Sequence, residues 1–303
     1  MQTKHIIYIA ALFIALFACE DVIDVDLNPT NGQVNVDAWL NNLSEPQTIK
    51  LRRVSPFFDS SPSPVITGAS VIVADDQGRI FEFVESGQTG DYIWTPAPGE
   101  TIGEVGTQFG LNVDIGDLQY VSTSTMNRVP PIDSLVTEFE EEELGQPEGI
   151  FAEVFAVDFE GPGDVYWIQT FKNGVYLNKP SEINIVFDAS FTPGVDGVNF
   201  ILPIRQNVNR VPDPMGESDD DNTVPPWAIG DSIRVDILSL NLESFFFLEQ
   251  AQTQLTLGDA GIFAEPPSNV PTNIVPLNAV EPSDEAVGIF NVAAISSAGF
   301  IIE

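Results

Sequence analysis

Short runs in which apolar and polar residues alternate recur along most of this chain, and they favour a fold built from β-sheets. In residues 33–40 every second position is apolar, which is the period of a strand with one buried face. Residues 69–74 and 79–84 repeat this pattern around an Asp-Asp-Gln-Gly turn, and the arrangement predicts a β-hairpin. Proline and glycine, 23 of each, occur throughout the chain. We therefore predict a mainly β protein whose short strands are joined by turns.

The order of these runs predicts two domains. Seven short strands without a helical period in residues 32–126 indicate an immunoglobulin-like β-sandwich. A Pro-rich linker follows at 127–134, because its paired prolines keep the backbone extended and cannot donate to a sheet. Residues 135–303 form a second, larger β-rich domain with one helix near 242–255, which Asn241 is placed to cap. The apolar residues available for the buried face of that helix are Phe245, Phe246, Leu248 and Leu255.

The first 18 residues are predicted to be a lipoprotein signal peptide. A short basic start precedes an apolar run that is too short to cross a bilayer as a helix. The end of this run, with Leu16, Ala18 and Cys19, resembles a bacterial lipobox, in which the thiol is diacylated and the leader is removed. The alternative is a cleaved signal peptide with an incidental cysteine. A lone exported thiol has no disulfide partner within the chain, and acylation of Cys19 would anchor the protein in outer-membrane lipid.

Residues 19–31 form an acidic tether behind this anchor. Glu20 and Asp21 resemble the signal by which Bacteroidota export lipoproteins to the outer face of the outer membrane. The alternative is that two more acids mean little in a chain with a formal net charge of −34. We expect a lipid-anchored outer-membrane protein that faces the cell exterior.

Charge and composition exclude several function classes. A strongly acidic surface repels nucleic acid, so nucleic acid is not an expected partner. The single histidine, His5, leaves with the leader, and Cys19 is consumed by acylation. The mature chain therefore has no Ser-His-Asp triad, Cys-His pair, histidine-ligated metal or Cys-ligated cluster. We predict a protein that is not an enzyme and has no cofactor.

One loop offers a candidate Ca²⁺ site, since hard cations take several carboxylate oxygens. Its acidic spacing does not match an EF-hand, and a solvated acidic loop is the alternative interpretation. The candidate ligands are Glu217, Asp219, Asp220 and Asp221.

Two tryptophans are candidates for ligand contact. Trp39 falls on the polar side of its predicted strand, and Trp227 follows a proline pair in a long polar loop. Exposed aromatic rings can stack on sugar rings, so a glycan or a peptide is a candidate ligand, and a structural role for both rings is the alternative. Trp94 and Trp167 are predicted to be core residues.

Carboxylate chemistry survives the exclusions above. A pair such as Asp158 and Glu160 meets the bare requirement of glycoside hydrolysis for two carboxyl groups. With 45 acidic residues in the chain, a chance pair is expected, so a glycan hydrolase ranks below a binding protein.

The chain as a whole resembles the Bacteroidota lipoprotein family known as domain of unknown function 4249. The likeness covers nearly all of the mature chain. It is carried by residues 19–27, 129–135, 166–167, 173–174, 242–245, 269–274 and 286–290. Members of such families are often encoded beside TonB-dependent receptors, and no catalytic residues are carried over. The resemblance implies a non-catalytic accessory or ligand-binding partner of an uptake receptor. The alternatives are a structural or adhesion lipoprotein without a transport role and, less favoured, a carboxylate-based glycan hydrolase.

Overall fold

A computed structural model describes residues 32–55, 61–142, 147–187, 208–209, 226–256 and 270–303. Within these ranges the chain forms sixteen strands and one α-helix, α1 (Leu242–Leu255). The strands are β1 (Val34–Asn41), β2 (Gln47–Arg53), β3 (Ser70–Asp75), β4 (Ile80–Glu85), β5 (Asp91–Trp94), β6 (Gln108–Ile115), β7 (Leu118–Thr125), β8 (Ile132–Glu140), β9 (Gly149–Ala156), β10 (Val165–Lys172), β11 (Val175–Tyr176), β12 (Asn184–Phe187), β13 (Ser232–Ser239), β14 (Val275–Pro276), β15 (Ala286–Ala293) and β16 (Ile295–Ile301). The predicted mainly β fold class is confirmed.

The first unit is a sheet with the strand order β14-β7-β6-β3-β4-β5-β2-β1-β15. β4 and β5 pair over only two residue pairs, so the sheet divides into two halves at this point. The two halves pack around one apolar core. The far edges of the sheet also approach each other, because the backbone N–H of Val292 on β15 donates to Ser124 Oγ on β7 at 3.0 Å. The result is a nearly closed β-sandwich.

The local sequence patterns explain these strands. On β1, Val34, Val36, Ala38 and Leu40 are buried, and the residues between them are partly exposed, as the alternation predicts. The predicted hairpin is formed by β3 and β4.

The second unit contains a sheet with the order β11-β10-β13-β16, and β12 also pairs with β10. The β8–β9 hairpin covers its inner face, where Val154, Ile168 and Val235 share one apolar core. The backbone N–H of Ile132 at the start of β8 donates to Ser296 Oγ on β16 at 2.9 Å. β8 therefore begins within residues 127–134, directly after the paired prolines of the predicted linker.

The C-terminal part of the chain belongs to both sheets. β14 pairs with β7, and β15 pairs in parallel with β1, so both complete the first sheet. After Ala294, β16 pairs with β13 in the second sheet. The division into 32–126 and 135–303 stays a prediction about domains, whereas the strand pairing builds the first sheet from both ends of the chain.

Helix α1 has the bounds and the cap that the sequence predicts. The side-chain oxygen of Asn241 accepts from Ser244 N at 2.7 Å. Phe245 and Leu248 are buried as expected, but Phe246 is 42% exposed and Leu255 is 61% exposed, so the prediction for these two was wrong. The helix instead turns Gln252 inward, where its amide donates to the carbonyl oxygens of Pro180 and Ile183.

Candidate functional site

An aromatic cluster joins the outer faces of the two sheets. Trp39 on β1 packs against Trp167 on β10, with ring centroids 5.0 Å apart, and against Phe247 of helix α1 at 6.3 Å. Each such aromatic pair adds about 0.5–1.5 kcal/mol beyond the area it buries. The cluster therefore holds the Trp39 indole between the first sheet, the second sheet and the helix.

A buried polar network at the same junction is centred on Asn241. Besides capping the helix, Asn241 donates its backbone N–H to Asn291 Oδ1 at 3.0 Å and its amide to Ser124 Oγ at 3.3 Å. The amide of Asn291 in turn donates to the carbonyl oxygen of Ser239 at 3.2 Å. β7, β13, β15 and α1 are thus connected by hydrogen bonds that water does not reach.

A shallow groove of about 300 Å³ opens beside this junction, on the outer face of β1 and β2. Its volume is at the lower end of the range for small-molecule sites. The residues that line it are Asp37, Trp39, Asn41, Pro46, Gln47, Thr48 and Lys50. One aromatic ring and several hydrogen-bonding side chains therefore face the same space.

The polar side chains of the groove are held by one another. Lys50 Nζ lies 3.5 Å from Asp37 Oδ2, and both side chains remain partly exposed. Asn41 donates its backbone N–H to Gln47 Oε1 at 2.9 Å, while the Gln47 amide donates to Asn41 Oδ1 at 3.2 Å. These contacts orient the groups before any ligand arrives.

The surroundings of the groove are acidic. Asp236 is a buried carboxyl on β13, where it accepts from Ser297 Oγ at 2.6 Å. Burial raises the pKa of Asp236, and the negative charge of Glu45, in the turn between β1 and β2, adds to this, whereas the hydrogen bond from Ser297 and the charge of Arg234, whose Nη2 lies 3.4 Å from Asp236 Oδ2, offset it in part. Glu45 lies at the groove itself, because its Oε1 accepts from the Asn41 amide at 3.4 Å, so an anionic ligand would meet its negative charge on entering.

The structure places the two predicted ligand-contact tryptophans differently. Trp39 lines the groove as described. Trp227 is only 2% exposed and forms an isolated bridge with Ile150, with Lys172 Nζ 5.6 Å from its ring centroid. The prediction that Trp227 is exposed was wrong, because the chain after the proline pair enters the second core. No local pattern in the sequence signals this long-range pairing.

Other predicted sites have clear positions or lie outside the described residues. Asp158 is buried and accepts from the Tyr166 hydroxyl at 3.2 Å, whereas Glu160 is exposed, so they are not a facing carboxyl pair. Within the described ranges, no three His, Cys, Asp or Glu residues are grouped to hold a metal. The predictions outside the described residues concern Cys19, Glu20, Asp21, Glu217, Asp219, Asp220 and Asp221.

Residues 270–274, which are part of the family resemblance, have a structural role. The amide of Asn273 donates to Phe290 O at 2.8 Å, and Phe290 N donates back to Asn273 Oδ1 at 2.9 Å. Thr272 Oγ1 donates to Gly288 O at 2.7 Å. These side chains substitute for a neighbouring strand along β15, so this segment protects the edge of the first sheet.

Fold and groove together define a mainly β protein with two joined units, a junction helix and an open polar groove. The chain belongs to the family described as Domain of unknown function (DUF4249), which matches residues 20–298. No curated protein matches it.

Among solved structures, a two fibronectin type-III domain segment from chicken tenascin aligns at 13% identity over 69% of this chain and 90% of that chain. The TM-score is 0.19, and a likeness this weak carries no argument. Among the described residues, no helix is both long and apolar enough to cross a membrane.

Proposed function

We propose that this protein is a lipid-anchored, surface-exposed lipoprotein of the outer membrane that binds a ligand as a non-catalytic partner of a TonB-dependent uptake receptor. The observation that carries the binding role is the groove at Trp39, where an aromatic ring and oriented polar side chains face one open space. Such a concave site with a few convergent polar groups is the usual form of a binding site.

The composition of the groove supports binding over hydrolysis. Asp37 is the one carboxylate among its lining residues, and it is paired with Lys50. Hydrolysis of a glycosidic bond requires two carboxyl groups at a set separation.

The position of the predicted anchor also supports this function. The described chain begins at Gly32, which lies beside the end of β2, where Arg53 donates to its carbonyl oxygen at 2.6 Å. Trp39 lies further along β1, roughly 16 Å from Val34 at about 3.3 Å per residue. If the chain is anchored before residue 32, the groove therefore lies about 16 Å along β1 from the point where the described chain begins.

A pull-down in mild detergent tests the receptor partnership. The full chain, tagged after the exposed Glu303, is purified from native membranes, and an untagged strain serves as the control. We expect a TonB-dependent barrel in near-equal amount, together with the mass of an acylated Cys19. Recovery of the lipidated protein alone would contradict the accessory role and favour an adhesion protein.

Protease treatment of intact cells tests the surface display. Replacing Glu20 and Asp21 with Ala is expected to protect the protein from cleavage, because the variant would stay on the inner leaflet. A paired variant with Asp24 and Asp26 replaced by Ala removes the same charge from the tether and should still be cleaved. Equal cleavage of all three proteins would contradict the export signal.

A further inference from the structure

We infer that the groove lined by Trp39 is a binding site for a neutral saccharide, with the Trp39 indole as the stacking platform. The inference rests on the ligand-binding part of the proposed function and specifies the ligand class.

The Trp39 ring is supported in the way that a stacking platform requires. Trp167 and Phe247 pack against it at 5.0 Å and 6.3 Å, while the residue also lines the groove. Since these neighbours belong to the second sheet and to helix α1, the indole cannot turn away without disturbing the junction. A ring already held in place loses little conformational entropy when an apolar face of a sugar packs on it.

The polar groups around the ring match the hydroxyl groups of a sugar. Thr48 offers a hydroxyl, Asn41 an amide, and Lys50 and Asp37 a charged donor and acceptor, all within one groove. A sugar ring presents hydroxyls that donate and accept at its edges and C–H groups on its faces. Side chains that are hydrogen-bonded to each other, as Asn41 and Gln47 are, are already oriented to form hydrogen bonds with these hydroxyls.

The electrostatics of the site select a neutral ligand. The Glu45 carboxylate lies at the groove, where its Oε1 accepts from the Asn41 amide at 3.4 Å, and Lys50, the one cation that lines the groove, is already paired with Asp37. The whole chain carries a formal charge of −34. A uronic acid, a sulfated sugar or another anion would therefore be repelled, whereas a neutral sugar carries no net charge for the site to repel.

The size of the groove limits what it contacts. Its volume of about 300 Å³ is at the lower end of the range for small-molecule sites, so the groove contacts only a short part of a saccharide. The site therefore recognises a short stretch of a neutral oligosaccharide.

Titration calorimetry on the full-length protein in detergent tests this inference. The probes are neutral oligosaccharides of glucose, mannose, xylose, galactose and N-acetylglucosamine, with an oligogalacturonate as the anionic comparison and a neutral peptide pool as the alternative ligand. We expect at least one neutral oligosaccharide to bind and the oligogalacturonate not to bind. Binding of the peptide pool alone, or of no neutral saccharide, would overturn the inference.

Substitutions then place the binding in the groove. Trp39→Ala should weaken the association about tenfold or more, and Trp39→Phe should restore part of it. Trp94→Ala is the matched control, because Trp94 also packs on an aromatic ring at 5.0 Å, that of Phe81, but does not line the groove.

Lys50→Ala removes a side chain that lines the groove, so it should weaken binding about tenfold. Because the ion pair of Lys50 with Asp37 is exposed, the substitution should cost little stability. Unchanged affinity in both Trp39→Ala and Lys50→Ala would overturn the inference.

The same preparations separate this inference from the receptor partnership. If a receptor co-purifies but no neutral saccharide binds, the saccharide site is wrong and the accessory role stands. If a saccharide binds through Trp39 and no receptor co-purifies, the saccharide site stands and the accessory role is wrong.

Discussion

At the scale of single residues, Gly288 shows how one position can determine a strand pairing. Its φ of +101° lies in the region that favours glycine, and a Cβ at this position would collide with the carbonyl of Val36 on β1. β15 therefore approaches β1 closely only because residue 288 has no side chain.

We expect Gly288→Ala to destabilise the protein by about 3 kcal/mol or more, because both the backbone conformation and the contact with β1 must change. Denaturant unfolding of the purified chain gives the free energy of unfolding. Gly110→Ala is the control, since Gly110 lies on β6 with open space where a Cβ would be, and it should change stability by less than about 1 kcal/mol. Equal effects would show that the approach of β15 is not limited by this contact.

Asp75 makes the β3–β4 hairpin sensitive to pH. Its side chain is 0% exposed and accepts from Gln77 N at 3.0 Å, Arg79 N at 2.8 Å and Arg79 Nε at 2.5 Å. Burial alone would raise the pKa of Asp75, but the hydrogen bonds and charge of Arg79 outweigh it, and the pKa is lowered. A lowered pKa stabilises the fold above the unfolded value of about 3.9, and this stabilisation is lost as pH falls through the folded value.

Asp75→Asn should therefore cost about 1–2 kcal/mol at neutral pH, and the difference from the natural protein should shrink as pH falls below about 3.9. Urea unfolding over a pH series measures this change. The neighbouring Asp76→Asn is the control, since Asp76 is exposed, and it should stay within about 0.5 kcal/mol throughout. A constant difference for Asp75→Asn across the pH series would contradict the assignment.

At the scale of elements, Arg128 helps to fix the residues after β7 to the second unit. Arg128 donates to both carboxylate oxygens of Asp164, with Nη2–Oδ2 at 2.6 Å, and also to the carbonyl oxygen of Glu160 at 3.0 Å. Its guanidinium lies 4.5 Å from the ring centroid of Phe159. The hydrogen bonds to Asp164 raise the pKa of Arg128, so the guanidinium stays charged at all ordinary pH values.

Arg128→Ala should cost about 2–3 kcal/mol, because the Asp164 side chain is only 7% exposed and would lose its partner. Arg128→Lys should recover little of this, since an ammonium group can neither donate in two directions nor stack as a guanidinium does. Thermal and denaturant unfolding measure both variants. Lys50→Ala, which breaks an exposed ion pair, is the control with an expected loss below about 1 kcal/mol. Full rescue by lysine would contradict the bidentate geometry as the cause.

The elements also show what the sequence can predict. Strand alternation on β1, the β3–β4 turn and the Asn241 cap all depend on residues close together in the chain, and each prediction is confirmed. The parallel pairing of β15 with β1 joins residues about 250 positions apart, and no local pattern specifies it. The groove shows the same contrast between local and long-range contacts. Alternation along β1 places Trp39 and Asp37 on the outer face, but only the tertiary structure brings Trp167 and Phe247 behind Trp39.

At the scale of the whole molecule, charge repulsion is a general destabilising factor. The chain has 45 acidic residues against 11 lysines and arginines, and several of those cations already hold carboxylates, among them Arg52 with Asp91 and Lys172 with Asp231. Because acids outnumber cations so strongly, most acids cannot have a cation of their own, and the folded state concentrates their charge.

We expect the thermal midpoint to rise as NaCl increases from about 0.01 M to about 0.3 M, since screening shortens the range of repulsion. Scanning calorimetry at each salt concentration measures the effect. A second series near the pI of about 4.1 is the control, where the charge is small and salt should do little. A midpoint that falls with salt at neutral pH would show that the ion pairs outweigh the repulsion.

The two units are expected to unfold together. The C-terminal chain runs from β15 in the first sheet to β16 in the second with only Ala294 between them, and Trp39 and Asn241 tie the same junction. Loss of either sheet would expose the buried face of the other at this crossing, so an intermediate with one folded unit should not be populated.

Tryptophan fluorescence tests this cooperativity, because Trp94 packs on the first core and Trp227 lies in the second. Two variants that keep Trp94 or Trp227 as the single tryptophan, with the others replaced by Phe, should unfold at the same denaturant concentration. Adding Gly288→Ala, whose effect originates in the first sheet, should lower both midpoints equally. If the denaturant midpoint reported by Trp227 does not change, the second unit folds independently. The crossing strand would then connect the two units without coupling their unfolding.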